Sequence, residues 1–579
     1  MTRPLFLLLF SMAVAAPALA QFDAARAQDL RPVSGPQRNI VDNLDAEGDT
    51  LWAGQQLTFT ADGGASWFLV DDDVLTPPIA PSAIVYSLDI EGPNIWVGLG
   101  FQDPAIASRP QSAAGFAHSE DGGQTWTYEF PQLDQPEDTL QVYGCNALTP
   151  EALETGALNP ILGCDFLAPQ LPALPVIVPQ QSPPFDIDFD PTTGDVWVAG
   201  FASGIRRLSL LPDSNAYAPS FERIVLPPDT LDAISPTQPY FFPLAPEVNE
   251  NEEALNFLGF SVLVDETGTV WAGTVAGVNR SRPEDVVELV VFDTTGTVPI
   301  DTLVERGWQR TSFDGTSQGL PGDWVIAIEE QPVGDETFAV GTPENPRNPV
   351  WLSVWRASEP SERFALVVTK DGGETFEPVL VGGRRFYDLA FCPDGATSGC
   401  TPGTVYAAGD DGLFISDDEG RTWRSVRDFR DRDVPGRFVS RDARVFAVAA
   451  TPSALWVGTG DGLLKSEDGG VTWTVFRVDV PTSPAAPTER APEVETYAYP
   501  NPFSPNADTF VRIRYDRPTA RIRIFDFAMN LVRTISSATP NEQVWDGFDD
   551  SGNRVANGVY FYEVDAAGES LRGKILVLE

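Results

Sequence analysis

A nucleophile, an imidazole base, a carboxylate pair or a set of metal ligands would be the first sign of chemistry in this chain. Each can be tested on residue type and spacing alone. The 579 residues contain one histidine, His118. Gly315 to Gly319 (GTSQG) matches the G-x-S-x-G pattern of a nucleophilic serine, but it lies in a polar loop without the strand-to-helix turn that such an elbow requires. His118 runs directly into Ser119, Glu120 and Asp121 and belongs to a strand pattern, so no serine triad is expected. Acidic residues number 83, which means that a pair at glycosidase separation can be chosen almost anywhere and carries no specificity. With a single His remote from all four cysteines, no metal site is expected, and no cofactor either. The residues that do recur at a fixed spacing are aspartates: Asp62, Asp121, Asp371, Asp418 and Asp468.

Each of these aspartates sits in a short loop. The best copies are Ser119 to Trp126 (SEDGGQTW), Ser416 to Trp423 (SDDEGRTW) and Ser466 to Trp473 (SEDGGVTW); weaker ones are Thr60 to Trp67 (TADGGASW) and Thr369 to Phe376 (TKDGGETF). The chemistry of such a loop is a turn: the carboxylate accepts from backbone N–H groups, and Gly takes the position that needs φ > 0. The aromatic residue at a fixed offset is expected to be the buried anchor of its own sheet. The pattern Ser-x-Asp-x-Gly-x-Thr-Trp resembles the Asp-box of the BNR repeat, and the five aspartates are read as turn formers, not as catalytic or calcium-binding groups.

Between these loops a hairpin recurs seven times: an apolar strand, a turn, then a strand with an aromatic residue closely followed by Gly or small residues. The copies end at Gly54, Gly98, Gly200 and Gly273, then lie near Trp351, at Gly409 and at Gly458. In the fifth copy VWLSVW near Trp351 and ETFAVG ending at Gly341 compete for the second strand. Hairpin, strand, Asp loop and strand make a four-stranded sheet that cannot bury both faces alone, so copies must stack, and radial stacking makes a propeller. The reading is therefore all-β: an about seven-bladed β-propeller over 21–480, closed between the segment near Asn39 and the strand after Trp473. Long insertions, such as the one between Trp96 and Trp197, are where recognition surfaces are expected.

Export is written at the start. Arg3, the apolar run Leu5 to Ala15 and the Ala18-Leu19-Ala20 cleavage pattern make 1–20 a signal peptide. No later segment approaches the roughly 18 apolar residues of a spanning helix. In an exported chain four cysteines should be disulfides. Of the three connectivities possible, neighbour pairing is expected, Cys145 with Cys164 and Cys392 with Cys400. A formal net charge of −45 excludes a nucleic-acid partner, since a phosphate backbone demands a basic footprint.

Residues 481–492 (PTSPAAPTERAP) have linker composition. Beyond them Val511, Ile513 and Tyr515 alternate with Arg512 and Arg514, then Ile522 and Ile524 with Arg521 and Arg523. Such alternation means half-buried antiparallel strands, about seven of them, in a small sandwich over 493–579 that the linker should decouple from the propeller. The strings YPNPFSPNADTFVRIRY from Tyr499, VWDGFDDSGNRVANGVYFYEV from Val544 and the closing RGKILVLE resemble the immunoglobulin-like domain of the flagellar hook-cap protein and the C-terminal sorting domain of type IX secretion cargo. That resemblance implies passage across the outer membrane by a secretion machinery, to the medium or the cell surface.

Asp-box propellers include sialidases and endo-acting glycoside hydrolases, which makes a secreted glycoside hydrolase the alternative function. A sialidase-like site needs clustered Arg with a Tyr nucleophile and its Glu partner. The Arg-Ile-Pro signature is missing, and the nearest strings, SRPQS at Ser108 and SRPED at Ser281, lack the Ile. Xyloglucanase-like enzymes resemble two propellers facing one cleft, and this chain has residues for one. The expectation is a binding or scaffold protein whose ligand, a glycan or a protein, the sequence does not name.

Overall fold

The computed structural model describes residues from Leu30 to Leu578, apart from 135–163, 167–175, 243–254, 293–298, 333–339, 478–495 and shorter loop stretches. Among the described residues seven antiparallel sheets follow one another along the chain, each with its strands in sequence order from the inside outward. Their inner strands are Leu44–Glu47, Ile84–Glu91, Pro184–Phe189, Gly259–Val264, Trp324–Glu330, Phe386–Phe391 and Val445–Ala450. Each lies beside the next, and the last lies beside the first, so the seven close into a ring around an axis. We number the sheets blade 1 to blade 7. Blade 1 carries a fifth, outermost strand, Leu30–Val33, paired with Trp67–Val70. In blade 5 the second strand is Val350–Trp355, paired with Trp324–Glu330, while Val340–Thr342 pairs with Asn345–Arg347 in a separate ribbon.

Among the described residues no strand is exchanged between the first and last blades; closure is a packing contact. Val41 N donates to Thr459 O at 3.0 Å, Ser453 N to Asp49 Oδ1 at 3.2 Å, and Trp67 stands edge-on to Trp456. The contact belongs to a pattern that runs round the ring. The second strand of each blade carries one large aromatic at the same register: Trp52, Trp96, Trp197, Trp271, Trp351, Tyr406 and Trp456, all buried. Each packs into the apolar cluster of the following blade. Trp96 lies among Phe189, Val196 and Val198, Trp271 among Val325, Val350 and Leu352, and Trp456 among Val41, Leu51 and Ala53 of blade 1.

The Asp loops receive these rings. Gly123 has φ 87°, and a Cβ there would lie 2.5 Å from the edge of Trp52. Gly373 and Gly420 face Trp271 and Trp351 in the same way. Glycine is needed there for its backbone conformation and also because the indole of the preceding blade occupies the space. The aromatics inside the loops divide: Trp67, Phe376 and Trp473 are buried, whereas Trp126 and Trp423 are only half-buried. Those two fall short of the expected full anchor.

The tail is a sandwich of a three-stranded and a four-stranded sheet. Its core is Val511, Ile513, Tyr515, Ile522, Ile524, Trp545, Tyr562 and Ile575, so the alternation places its apolar face inward as read. The polar face differs from expectation. Arg512 is 5 % exposed, because its guanidinium donates to Asp461 Oδ2 at 3.0 Å and to Phe438 O at 2.9 Å, and Phe438 meets Phe510 with ring centroids 4.1 Å apart. The sandwich is docked on the propeller beside blade 7 and not decoupled from it. A charge-assisted bond and an aromatic pair draw that strand face out of water.

If the ring is closed by packing alone, Trp456→Ala should lower stability by about 3–5 kcal/mol through the cavity it leaves, and Gly123→Ala by about 1–3 kcal/mol through strain and overpacking. Denaturant titration of both variants checks this. Equal stability of Trp456→Ala and the parent would show that closure lies elsewhere.

Candidate functional site

The five loop aspartates share one hydrogen-bond pattern. In the loop of Asp121, Ser119 Oγ donates to Oδ1 at 2.9 Å, Gly123 N donates to Ser119 Oγ at 2.8 Å, and Thr125 donates its N–H to Oδ1 and its hydroxyl to Oδ2, both at 2.8 Å. Asp62, Asp371, Asp418 and Asp468 each bind the residue four positions on in the same way. Partial burial pushes the Asp121 carboxyl up, but the bonds from Thr125 and Ser119 outweigh it and hold the group below the usual carboxylate range. These carboxylates are spent on their own turns and stand apart, one to a blade.

The other residues singled out for chemistry are also dispersed. His118 is buried in blade 2, stacked on Trp96 at 4.4 Å, and burial pushes its pKa down. Ser317 of the GTSQG string lies outside the described residues. Arg282 of SRPED and its neighbour Arg280 both bind Glu374 in the Asp loop of blade 5, at 2.7 and 2.9 Å, which makes them a tie between blades. Cys392 and Cys400 form a disulfide with S–S 2.00 Å. Cys145 lies outside the described residues, and with it the pairing to Cys164. Among the described residues no three His, Cys, Asp or Glu are arranged to hold a metal ion.

What the fold does bring together lies on the axis, and the sequence reading did not find it. In six blades the inner strand carries a one-residue bulge near its start. A bulge re-aims the extra side chain. The extra residues are Tyr86, Phe185, Phe260, Ile326, Tyr387 and Phe446, all half-buried. Five of the six are aromatic, and Trp324 and Trp355 of blade 5 supply the rings that Ile326 does not. Ring centroids step from Tyr86 to Phe185 (6.4 Å), Phe260 (6.0 Å) and Trp324 (5.7 Å). They resume from Trp355 to Tyr387 (5.5 Å) and Phe446 (5.3 Å). The arc thus runs from blade 2 to blade 7 around one mouth of the channel. Blade 1 fills the gap with Asp42, which accepts from Gln55 Nε2 at 2.7 Å.

Below this collar six carboxyls converge: Asp45, Asp89, Asp186, Asp188, Glu329 and Asp388, from blades 1, 2, 3, 5 and 6. Asp45, Asp89, Asp188 and Glu329 sit opposite Trp52, Trp96, Trp197 and Trp351 on the neighbouring strand, hence on the sheet face turned to the next blade. Asp89, Asp186, Asp188 and Asp388 reach the next inner strand. Phe189 N donates to Asp89 at 2.6 Å, Val262 N to Asp186 at 2.9 Å, Val264 N to Asp188 at 3.1 Å and Val448 N to Asp388 at 2.8 Å. Enclosure by the blades pushes all six upward, Asp45, Asp186 and Asp388 to about 7. For Asp89, Asp188 and Glu329 repulsion from the other carboxylates adds to enclosure. Glu329 feels Asp388, Asp186, Asp45 and Asp188, which only convergence on the axis permits. The signal available in the sequence was an acid inside an apolar first strand, directly or shortly after an aromatic: YSLD, FDID and YD.

A family model described as the FlgD Ig-like domain matches residues 510–570. No curated protein matches the chain. Among solved structures, PorZ, a bacterial surface component of the type IX secretion system of Porphyromonas gingivalis, is similar at 14 % identity and a TM-score of 0.39, over 94 % of this chain and 60 % of its own. This chain therefore spans less than two thirds of that protein. YCF48 from Cyanidioschyzon merolae is similar at 15 % identity and a TM-score of 0.36, over 76 % of this chain and 98 % of its own. A virginiamycin B lyase from Staphylococcus aureus follows at 8 % and 0.34, over 76 % and 98 %. Similarities of this size say nothing of ligand or activity; the all-β fold, a propeller followed by an immunoglobulin-like domain, stands on the strand topology and the tail match.

The raised axial carboxyls set a pH dependence. A carboxyl whose folded pKa lies above its unfolded value near 4 binds more protons when folded, so it stabilises the fold below that value and the stabilisation is lost as pH rises through about 7. The melting temperature should therefore fall between pH 5 and pH 8. The triple variant Asp45→Asn, Asp186→Asn, Asp388→Asn keeps the acceptors for the N–H groups and should show a flatter profile. A parent profile that rises over this interval would contradict the assignment.

Proposed function

We propose that the chain is an exported β-propeller of the Asp-box repeat class that binds a glycan or protein ligand at the aromatic-lined mouth of its channel. In this reading 1–20 is the signal peptide, 21–480 the propeller and 481–492 the linker. Residues 493–579 are the immunoglobulin-like domain through which a secretion machinery delivers the protein to the medium or holds it at the outer surface. The observation that carries the binding reading is the collar itself. A bulge costs ladder hydrogen bonds, and a half-exposed aromatic forgoes part of its burial energy; bulges at the same place in six blades, five of them aimed with an aromatic residue, fit a surface kept open for a partner.

The hydrolase alternative gains nothing from the acids on the axis. Five of the six are engaged with backbone N–H groups, Asp89, Asp186, Asp188 and Asp388 with those of the following blade and Asp45 with Ala46 and Ile90. A general acid and base drawn from this set would have to release the contacts that hold the inner strands together. The docking of Arg512 against Asp461 and Phe438 supports a tail that holds the propeller in a set orientation as it is displayed.

Two measurements test the proposal. Deleting 493–579 in the native host should leave a folded propeller in the periplasm; normal amounts of truncated protein at the surface or in the medium would overturn the sorting role. A broad glycan panel should release no reducing sugar on incubation with the full protein. Hydrolysis abolished by one axial substitution would restore the enzyme.

A further inference from the structure

Resting on the reading of the channel mouth as a binding site, the geometry points to a class of occupant: we infer that the mouth takes the side-chain ammonium of a lysine presented by a basic peptide segment of a partner protein. The collar of Tyr86, Phe185, Phe260, Trp324, Tyr387 and Phe446 supplies π faces, whose negative quadrupole attracts a cation and gives an anion nothing. Where the arc breaks, at blade 1, the place of the missing ring is taken by the carboxyl of Asp42, which is held by Gln55 and lies within reach of the Arg38 charge. An aromatic arc completed by a carboxyl matches a cation in both its desolvated and its charged contacts.

The basic groups near this rim are already engaged. Arg385 lies over the Trp355 ring at 4.9 Å, Arg444 pairs with Asp410 at 3.2 Å, and Arg38 donates to Gln55 at 3.0 Å. The collar spans six blades with steps of 5.3 to 6.4 Å between rings. That is wider than a cage for one free amine and suits a side chain let down from a chain lying across the face. A net charge of −45 brings basic segments to the protein at long range; the collar would decide where one is held.

The test uses the mature full chain and a fluorescein-labelled Gly-Ser peptide with three lysines, followed by anisotropy at 150 mM NaCl against the same peptide with acetylated lysines and against free cadaverine. The expected result is saturable binding of the lysine peptide, at least tenfold weaker after acetylation and weaker still for cadaverine. Phe260→Leu and Tyr387→Leu, which keep apolar bulk but remove the π face, should each cost about fivefold. Asp42→Asn should cost a similar factor, and Glu377→Gln, an exposed acid on the outer strand of blade 5, should cost nothing. If the acetylated peptide or a neutral glycan binds with the same dependence on Phe260 and Tyr387, the cationic class is wrong while the mouth remains a binding site. If lysine-peptide binding ignores the collar variants, or falls equally with Glu377→Gln, it is general attraction to an acidic protein and the assignment to the mouth is overturned. Cadaverine binding as tightly as the peptide would replace the protein partner by a small amine.

Discussion

Seven inner strands each leave one edge unpaired along the axis, and the N–H groups on those edges have to be satisfied inside a narrow channel. A buried donor without a partner costs about 1–3 kcal/mol, so a ring of such edges is untenable unless something answers it. Asp89, Asp186, Asp188 and Asp388 answer it by reaching across to the following blade. The same bonds fix the height at which one inner strand meets the next. The axial acids are therefore part of the architecture first, and their crowding is the consequence: acceptors placed at four of the blade junctions bring carboxyls together in the middle.

Outside this rim the blades are held by the relay of second-strand aromatics into the following blade. Because no strand among the described residues crosses from blade 7 to blade 1, the last step, Trp456 onto Val41, Leu51 and Ala53, has to do by packing what an exchanged strand would do by hydrogen bonds. The relay also explains the Asp loops. In four of them a glycine (Gly64, Gly123, Gly373 or Gly420) is set against the indole of the preceding blade, so the loop is a turn within its blade and at the same time the seat for its neighbour's ring; in blade 7 Gly470 meets Ile415 instead. Blades 3 and 4 carry no such loop; Arg206 of blade 3 pairs with Asp134 at 2.6 Å, and Arg280 and Arg282 after the second strand of blade 4 reach Glu374 in the Asp loop of blade 5.

Hairpins were legible because a Trp followed by Gly or small residues, after an apolar strand and a turn, is local information. The fifth was ambiguous for a local reason too: two apolar stretches follow its first strand, and only pairing with Trp324–Glu330 selects Val350–Trp355. The tail's apolar alternation was legible to the residue, yet Arg512 was misread, since alternation says which face leaves the core and is silent on whether another domain covers it. Trp126 and Trp423 were misread too, since a fixed offset in the loop does not settle how far its ring is covered.

Taken alone, the residues determined the turns, the strands, the repeat and the division into propeller and sandwich, because each of these is decided by contacts within some ten to fifty residues. The collar and the axial acids were decided only by ring closure. Phe185 and Tyr387, or Asp45 and Glu329, are far apart in the chain and unremarkable in their own strands; what brings them together is that seven equivalent strand edges share one axis, and a shared axis is a property of the closed ring that no single blade possesses.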